Sequence, residues 1–211
     1  MKVTDKQTLT AQVVIVGGGI IGTATARELS RYNVDVLLLE AEAEVGWGTT
    51  KANSGIVHGG FHEEPGTLKA KYCFPGNQMY PQLCEELDVC FKQNGILMVG
   101  RTPEEMETVQ EYYKRGTERG VKLQLLSKEE LLEQEPNLDP ELAGALYAPE
   151  GGSVMPFELA AALMENAVQN GVRYEVNAKV IGAWAEGGKK YLETAEKVIE
   201  ADYVINAAGL F

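Results

Sequence analysis

An α/β fold, with a parallel sheet assembled from both ends of the chain, is predicted by three features of the sequence. A β-branched run at residues 13–16, VVIV, leads into the glycine-rich turn GGGIIG and then into a segment of small residues. A second apolar run at 34–39 ends at Glu40. A third strand-like stretch, DYVINAAG at 202–209, lies far away in sequence. Runs of apolar residues without alternation are what a parallel strand covered on both faces requires.

The elements follow in order. After the turn at 17–22, the stretch GTATARELSRYN suits a helix, with Gly22, Ala24 and Ala26 allowing close approach to a sheet. Residues 46–66 contain six glycines in 21 positions and little periodicity, which marks a functional loop in a compact domain. Residues 67–88 read as largely helical, with Pro75 and Pro81 expected to interrupt the helix. GILMV at 95–99 reads as a strand. A helix is expected from Thr102, its N-cap, with Glu104 and Glu105 in the first turn. A shorter one is capped by Ser127. A third begins near Pro156 and stops at Gly171. From residue 172 onward the pattern changes to short strands, with a Gly187–Gly188 turn.

Composition narrows the function classes. The chain has 211 residues, 45% hydrophobic and 24% charged, with a net charge of −12. That balance disfavours nucleic acid and anionic lipid as partners. Three cysteines without CxxC spacing fit neither a disulfide framework nor a four-ligand zinc site. Reduced thiols, no apolar leader and no long apolar run lead to the expectation of a soluble cytoplasmic protein without a transmembrane segment.

The motif GxGxxG is met at Gly17, Gly19 and Gly22. Its first glycine permits a tight turn, the second lets the backbone approach a pyrophosphate, and the third lets helix and strand pack closely. Glu40 follows 18 residues after Gly22, in place to accept hydrogen bonds from a ribose and to repel a 2′-phosphate. The ligand is therefore NAD-like or FAD-like. The chain then enters a long Gly, Thr and Asn loop instead of a third strand, which favours FAD.

GGGIIG, Glu40, the loop GTTKANSGIVHGG and the closing VINAAGLF together resemble the D-amino-acid-oxidase-like FAD-dependent oxidoreductases. Within them, the loop resembles that of FAD-dependent glycerol-3-phosphate dehydrogenases, and NSGIVHGGFHEEPGTLKAKYC also resembles L-2-hydroxyglutarate oxidases. The resemblance implies a Rossmann-like FAD-binding domain from residues 1–87 and 151–211, with an inserted α+β substrate subdomain that includes 88–150. It implies that Gly17, Gly19, Ile20, Ile21 and Gly22 meet the FAD pyrophosphate and that Glu40 holds the adenosine ribose. It places Thr49, Thr50, Asn53, Ser54 and Gly55 beside the pyrophosphate, ribitol and flavin edge. Val180 would meet the adenine, and Ala208 and Gly209 would let the last turn approach the cofactor. His58 occupies the family's flavin-proximal position, as a group that orients flavin or substrate or takes a proton.

The implied reaction removes a hydride from the CH–OH group of a small anionic substrate. Glycerol 3-phosphate comes first, L-2-hydroxyglutarate second, and an amine third. An NAD-dependent dehydrogenase and a non-catalytic nucleotide-binding fragment are the rival classes. The glycerol-3-phosphate type often carries an arginine two residues after HGG; here Phe61 and then His62 follow, without the bidentate fork. His58 and His62 are four residues apart with Glu63 and Glu64 next, but Gly59, Gly60 and Pro65 exclude a helix, so no metal site is expected there. The acidic run at 129–141 is expected to be a solvated face. Family members continue beyond VINAAGLF, so the expectation is a shortened form, or one chain of a split protein whose second chain completes the site.

Overall fold

The structure, a computed structural model, describes residues 6–210. Its elements in chain order are β1 (Gln7–Val16), α1 (Ile20–Leu29), β2 (Val36–Leu39), β3 (Ile56–Val57), α2 (Leu68–Glu86), β4 (Phe91–Lys92) and β5 (Ile96–Gly100). There follow α3 (Pro103–Glu118), β6 (Gln124–Ser127), α4 (Lys128–Gln134), β7 (Gly144–Ala148), β8 (Gly152–Val154) and α5 (Pro156–Gln169). The last four strands are β9 (Arg173–Glu175), β10 (Gly182–Glu186), β11 (Lys189–Glu193) and β12 (Lys197–Asn206). No described helix is long and apolar enough to cross a membrane.

Two compact units form. The first contains residues up to 53, 87–89, and those from 155 onward; the second contains 54–86 and 90–154. The first division falls at residue 53 and not near 87, because β3 pairs with β8 and Phe61 is buried against Val109, Leu146 and Ala148. The glycine-rich stretch after residue 53 therefore folds with the inserted subdomain.

The first unit carries a six-stranded sheet in the order β10-β11-β12-β1-β2-β9. β12, β1, β2 and β9 run parallel; β10, β11 and β12 form an antiparallel meander. Strand β12 thus returns from the far end of the sequence to lie beside β1, as expected. The unbroken apolar runs are explained by burial on both faces. Val13, Ile15, Val36 and Leu38 pack with Ala26 of α1 and with Met164 and Ala167 of α5, whereas Val14, Leu37 and Leu39 pack with Ala178, Leu192 and Ile199. Helix α1 turns Gly22, Thr23 and Ala26 inward and leaves Ala24 exposed. At 100° per residue, positions 22, 23 and 26 share a side that 24 leaves.

The second unit has two antiparallel three-stranded sheets, β3-β8-β4 and β5-β7-β6. Helix α2 is continuous through Pro75 and Pro81, against the expected interruption. Each proline removes one i→i−4 bond, and the six-residue spacing leaves intact turns on either side to carry the helix. Both expected caps form as capping boxes: Thr102 with Glu105, and Ser127 with Glu130. Thr102→Ala should cost about 1 kcal/mol and lower the melting midpoint by about 2–4 °C, with little effect on cofactor content. Differential scanning calorimetry checks this. Glutamates 129, 130, 133 and 135 and Asp139 are exposed, as expected of a solvated face, while Leu131 in their midst is buried.

Candidate functional site

At the carboxyl ends of β1, β2 and β12, three turns of the first unit come together. Ligands of open α/β sheets bind at this edge. Gly17 has φ +106°, and a Cβ there would lie 2.3 Å from the Ala207 carbonyl oxygen. A Cβ on Gly22 would lie 1.9 Å from the Gly17 carbonyl oxygen. Both positions thus exclude any side chain. Gly19 is the N-cap of α1, in extended conformation with no side-chain cap. Ala207 N–H donates to the Val16 carbonyl at 2.8 Å, fixing the turn after β12 against the end of β1.

Glu40 is 9% exposed, and both its oxygens are engaged by backbone. Gly18 N–H donates to Oε2 at 2.6 Å, and Glu42 N–H donates to Oε1 at 2.8 Å. The carboxylate therefore does structural work on the glycine turn, which the sequence did not reveal. A carboxylate oxygen has two lone pairs, so each keeps one acceptor position. Glu40→Ala should then weaken FAD retention of the full-length protein by about 1–3 kcal/mol, roughly 5- to 150-fold. Unchanged retention, read by flavin fluorescence on dilution, would confine Glu40 to holding the turn.

The loop after β2 folds back onto the turn. Gly46 N–H donates to the Gly18 carbonyl at 2.8 Å, and Thr50 Oγ1 accepts from Ile20 N–H at 3.0 Å. Thr50 is buried and occupies one of the first-turn amides of α1. The first intrahelical bond, Thr23 N–H to the Gly19 carbonyl, leaves Ile21 and Gly22 as the first-turn amides beyond it. Asn53 Nδ2 donates to the carbonyls of Thr49 and Thr50, closing the loop. Ile21, Ala208 and Gly209 are exposed, and Asn206 Oδ1 accepts from Ala208 N–H. Val180 is half-buried against the core of Val14 and Leu39. A groove of about 840 Å³ on this unit begins at the same loop and is lined by Gly46, Trp47, Lys51, Phe157, Met164 and Tyr174 among others. None of Gly17, Gly19, Gly22 and Glu40 lines it.

The remaining site residues belong to the second unit. Ser54 is exposed; Gly55 is buried at φ +68°, and its carbonyl accepts from Val154 N–H at 3.0 Å. His58 is exposed. Residues 58–67 form no helix, as expected, yet His58, His62 and Glu63 converge without one: a ligand atom from each lies within 4.8 Å of the others. This corrects the argument that the absence of a helix keeps them apart. The tight turn at Gly60, φ +85°, brings them together.

His62 Nε2 stands 3.3 Å from Glu63 Oε1. Burial lowers the His62 pKa, outweighing the pull of Glu63 in the other direction, and His58 lowers it further. Glu63 is 7% exposed, and its Oε2 has no hydrogen-bond partner. Arg119 Nη1 is 3.9 Å from that oxygen. The Cys73 thiol is pushed up to about 12, first by burial and then by its hydrogen bond to Glu63, so it stays protonated. The three cysteines are free, as expected.

Comparison with known proteins identifies the fold's relatives. The DAO family, FAD dependent oxidoreductase, matches residues 12–211. A glycerol 3-phosphate dehydrogenase from Caloramator mitchellensis is 44% identical over 200 residues, covering 94% of this chain and 42% of that protein. An L-2-hydroxyglutarate dehydrogenase from Escherichia coli (strain UMN026) is 32% identical over 200 residues, covering 93% of this chain and 47% of that protein. Among solved structures, the reduced, FAD-bound L-α-glycerophosphate oxidase from Mycoplasma pneumoniae superposes with a TM-score of 0.87 at 31% identity, covering 95% of this chain and 54% of that one. The chain thus spans less than half the length of these curated relatives. The FAD-like ligand that the loop after Glu40 favours over an NAD-like one is borne out: the chain belongs to the DAO family of FAD dependent oxidoreductases.

Proposed function

We propose that the whole protein is an FAD-dependent dehydrogenase or oxidase acting on the CH–OH group of a small anionic substrate, with glycerol 3-phosphate as the first candidate. The observation that carries the cofactor half of this reading is the side-chain-free turn at Gly17 and Gly22, closed on one side by the Glu40 carboxylate. Its features match the parts of a dinucleotide: first-turn amides and the positive end of α1 for the pyrophosphate, and a carboxylate for the ribose. FAD, when bound, supplies the acceptor for the substrate's hydride. Within this reading Gly17, Gly19, Ile20, Ile21 and Gly22 hold the pyrophosphate. Glu40 accepts from the adenosine ribose. Thr49, Thr50, Asn53, Ser54 and Gly55 supply polar groups along the cofactor. Val180 offers its backbone to the adenine, and Ala208 and Gly209 let the backbone approach. His58 takes the hydroxyl proton of the substrate as the hydride leaves its carbon.

The substrate half rests on the 44% identity to the glycerol 3-phosphate dehydrogenase. L-2-hydroxyglutarate is the second reading, favoured by one feature: Phe61 is buried, and His62 stands where an arginine would fork onto a phosphate. The test is anaerobic flavin bleaching of the full-length protein by each compound, followed by turnover with a dye acceptor. Bleaching by glycerol 3-phosphate alone is expected. Bleaching by L-2-hydroxyglutarate alone transfers the assignment to the second reading, and bleaching by glycine to an amine oxidase.

A further inference from the structure

The cluster in the second unit has features that the proposed oxidation does not use. Both histidines of the 211 residues are in it. Their rings lie 4.9 Å apart, tilted by 51°. Beside them is a buried carboxylate with one oxygen that has no hydrogen-bond partner. An orphaned buried oxygen is costly, and native structures retain one where something else satisfies it.

We propose that His58, His62 and Glu63 form a binding site for a divalent cation of the zinc class. Two imidazoles and one carboxylate are the ligand set of borderline transition cations; calcium and magnesium prefer all-oxygen sets. Three protein ligands leave a fourth position for water. Tetrahedral zinc with ligands at about 2.0–2.2 Å needs ligand atoms roughly 3.3–3.6 Å apart. The cluster, within 4.8 Å, must contract by about an ångström. His58 is exposed, so its ring can turn towards His62 and Glu63. Arg119, 3.9 Å from Glu63, and Arg115, which donates to the His62 carbonyl at 3.2 Å, are unfavourable neighbours, so the site should bind moderately and exchange its cation. Zinc would occupy the His58 lone pair. If His58 takes the substrate proton, zinc also inhibits turnover; that consequence rests on the proposed function, whereas binding itself does not.

The test uses tag-free, full-length flavoprotein, stripped with a chelator and titrated with zinc chloride in a calorimeter. One zinc per chain is expected at this site. His62→Gln, His58→Gln and Glu63→Gln should each weaken its binding at least tenfold, with the flavin spectrum unchanged in His62→Gln and Glu63→Gln. His62 is 38% exposed in its side chain, so its variant keeps the test decisive if the buried Glu63 variant fails to fold. No zinc binding by the parent protein overturns the proposal. So does binding that His62→Gln and His58→Gln leave unchanged. Inhibition by zinc without any of these affinity losses also counts against it.

Discussion

Gly17→Ala is expected to remove FAD from the full-length protein: flavin per chain after gel filtration should fall more than tenfold. Two costs combine. A non-glycine residue at φ +106° costs about 1–3 kcal/mol of backbone strain. The new methyl would also lie 2.3 Å from the Ala207 carbonyl, a backbone atom that cannot swing aside. The turn after β12 would have to move off the end of β1, and the Ala207–Val16 hydrogen bond with it. Gly22→Ala should behave alike, since its methyl would meet the Gly17 carbonyl at 1.9 Å. Overpacking of this kind costs about 1–3 kcal/mol. The comparison variant is Gly48→Ala, where an added Cβ meets nothing within 4 Å; it should retain flavin. Full flavin content in Gly17→Ala would place the cofactor away from this turn.

His58→Gln is expected to lower turnover by about 10²–10⁴-fold while flavin stays bound, the range lost with a general base. The side chain is exposed, so the variant should fold and melt like the parent. Rapid-mixing measurement of flavin reduction checks the step directly. A slowed reduction with unchanged substrate affinity supports proton removal. Unchanged reduction reduces His58 to the cation site alone, and loss of flavin reassigns it to cofactor binding. Zinc affinity and reduction rate are separate readouts, so the two roles of His58 stand or fall independently.

Much of the chain was legible because its signals are local. The GxGxxG turn needs glycines for reasons written in the backbone: a positive φ at Gly17 and a 1.9 Å approach at Gly22. The β-branched runs announced two-faced burial, and Thr102, Ser127, Pro156 and Gly171 marked helix ends through their own short-range hydrogen bonds and geometry. Strands β6, β7 and β8 were less legible. GALYA and GSV carry weak strand preference and become strands by pairing with β5 and β3. Pro75 and Pro81 misled because a helix tolerates a lost bond that neighbouring turns compensate.

The sequence by itself determined the nucleotide-binding half of this protein: a strand, a turn that only glycine can make, a helix of small residues and an acid at the end of the next strand. These are consequences of backbone sterics and of near-neighbour spacing. Tertiary structure alone decided three things. It joined the loop after residue 53 to the inserted unit, through β3–β8 pairing and the burial of Phe61. It gave both oxygens of Glu40 to the amides of Gly18 and Glu42. And it folded His58, His62 and Glu63 into one cluster around the left-handed turn at Gly60. The physical reason is the same in each case. Periodicity reports which face of a helix or strand is buried, but an irregular loop has no period, so what its side chains meet is set by the elements packed against it.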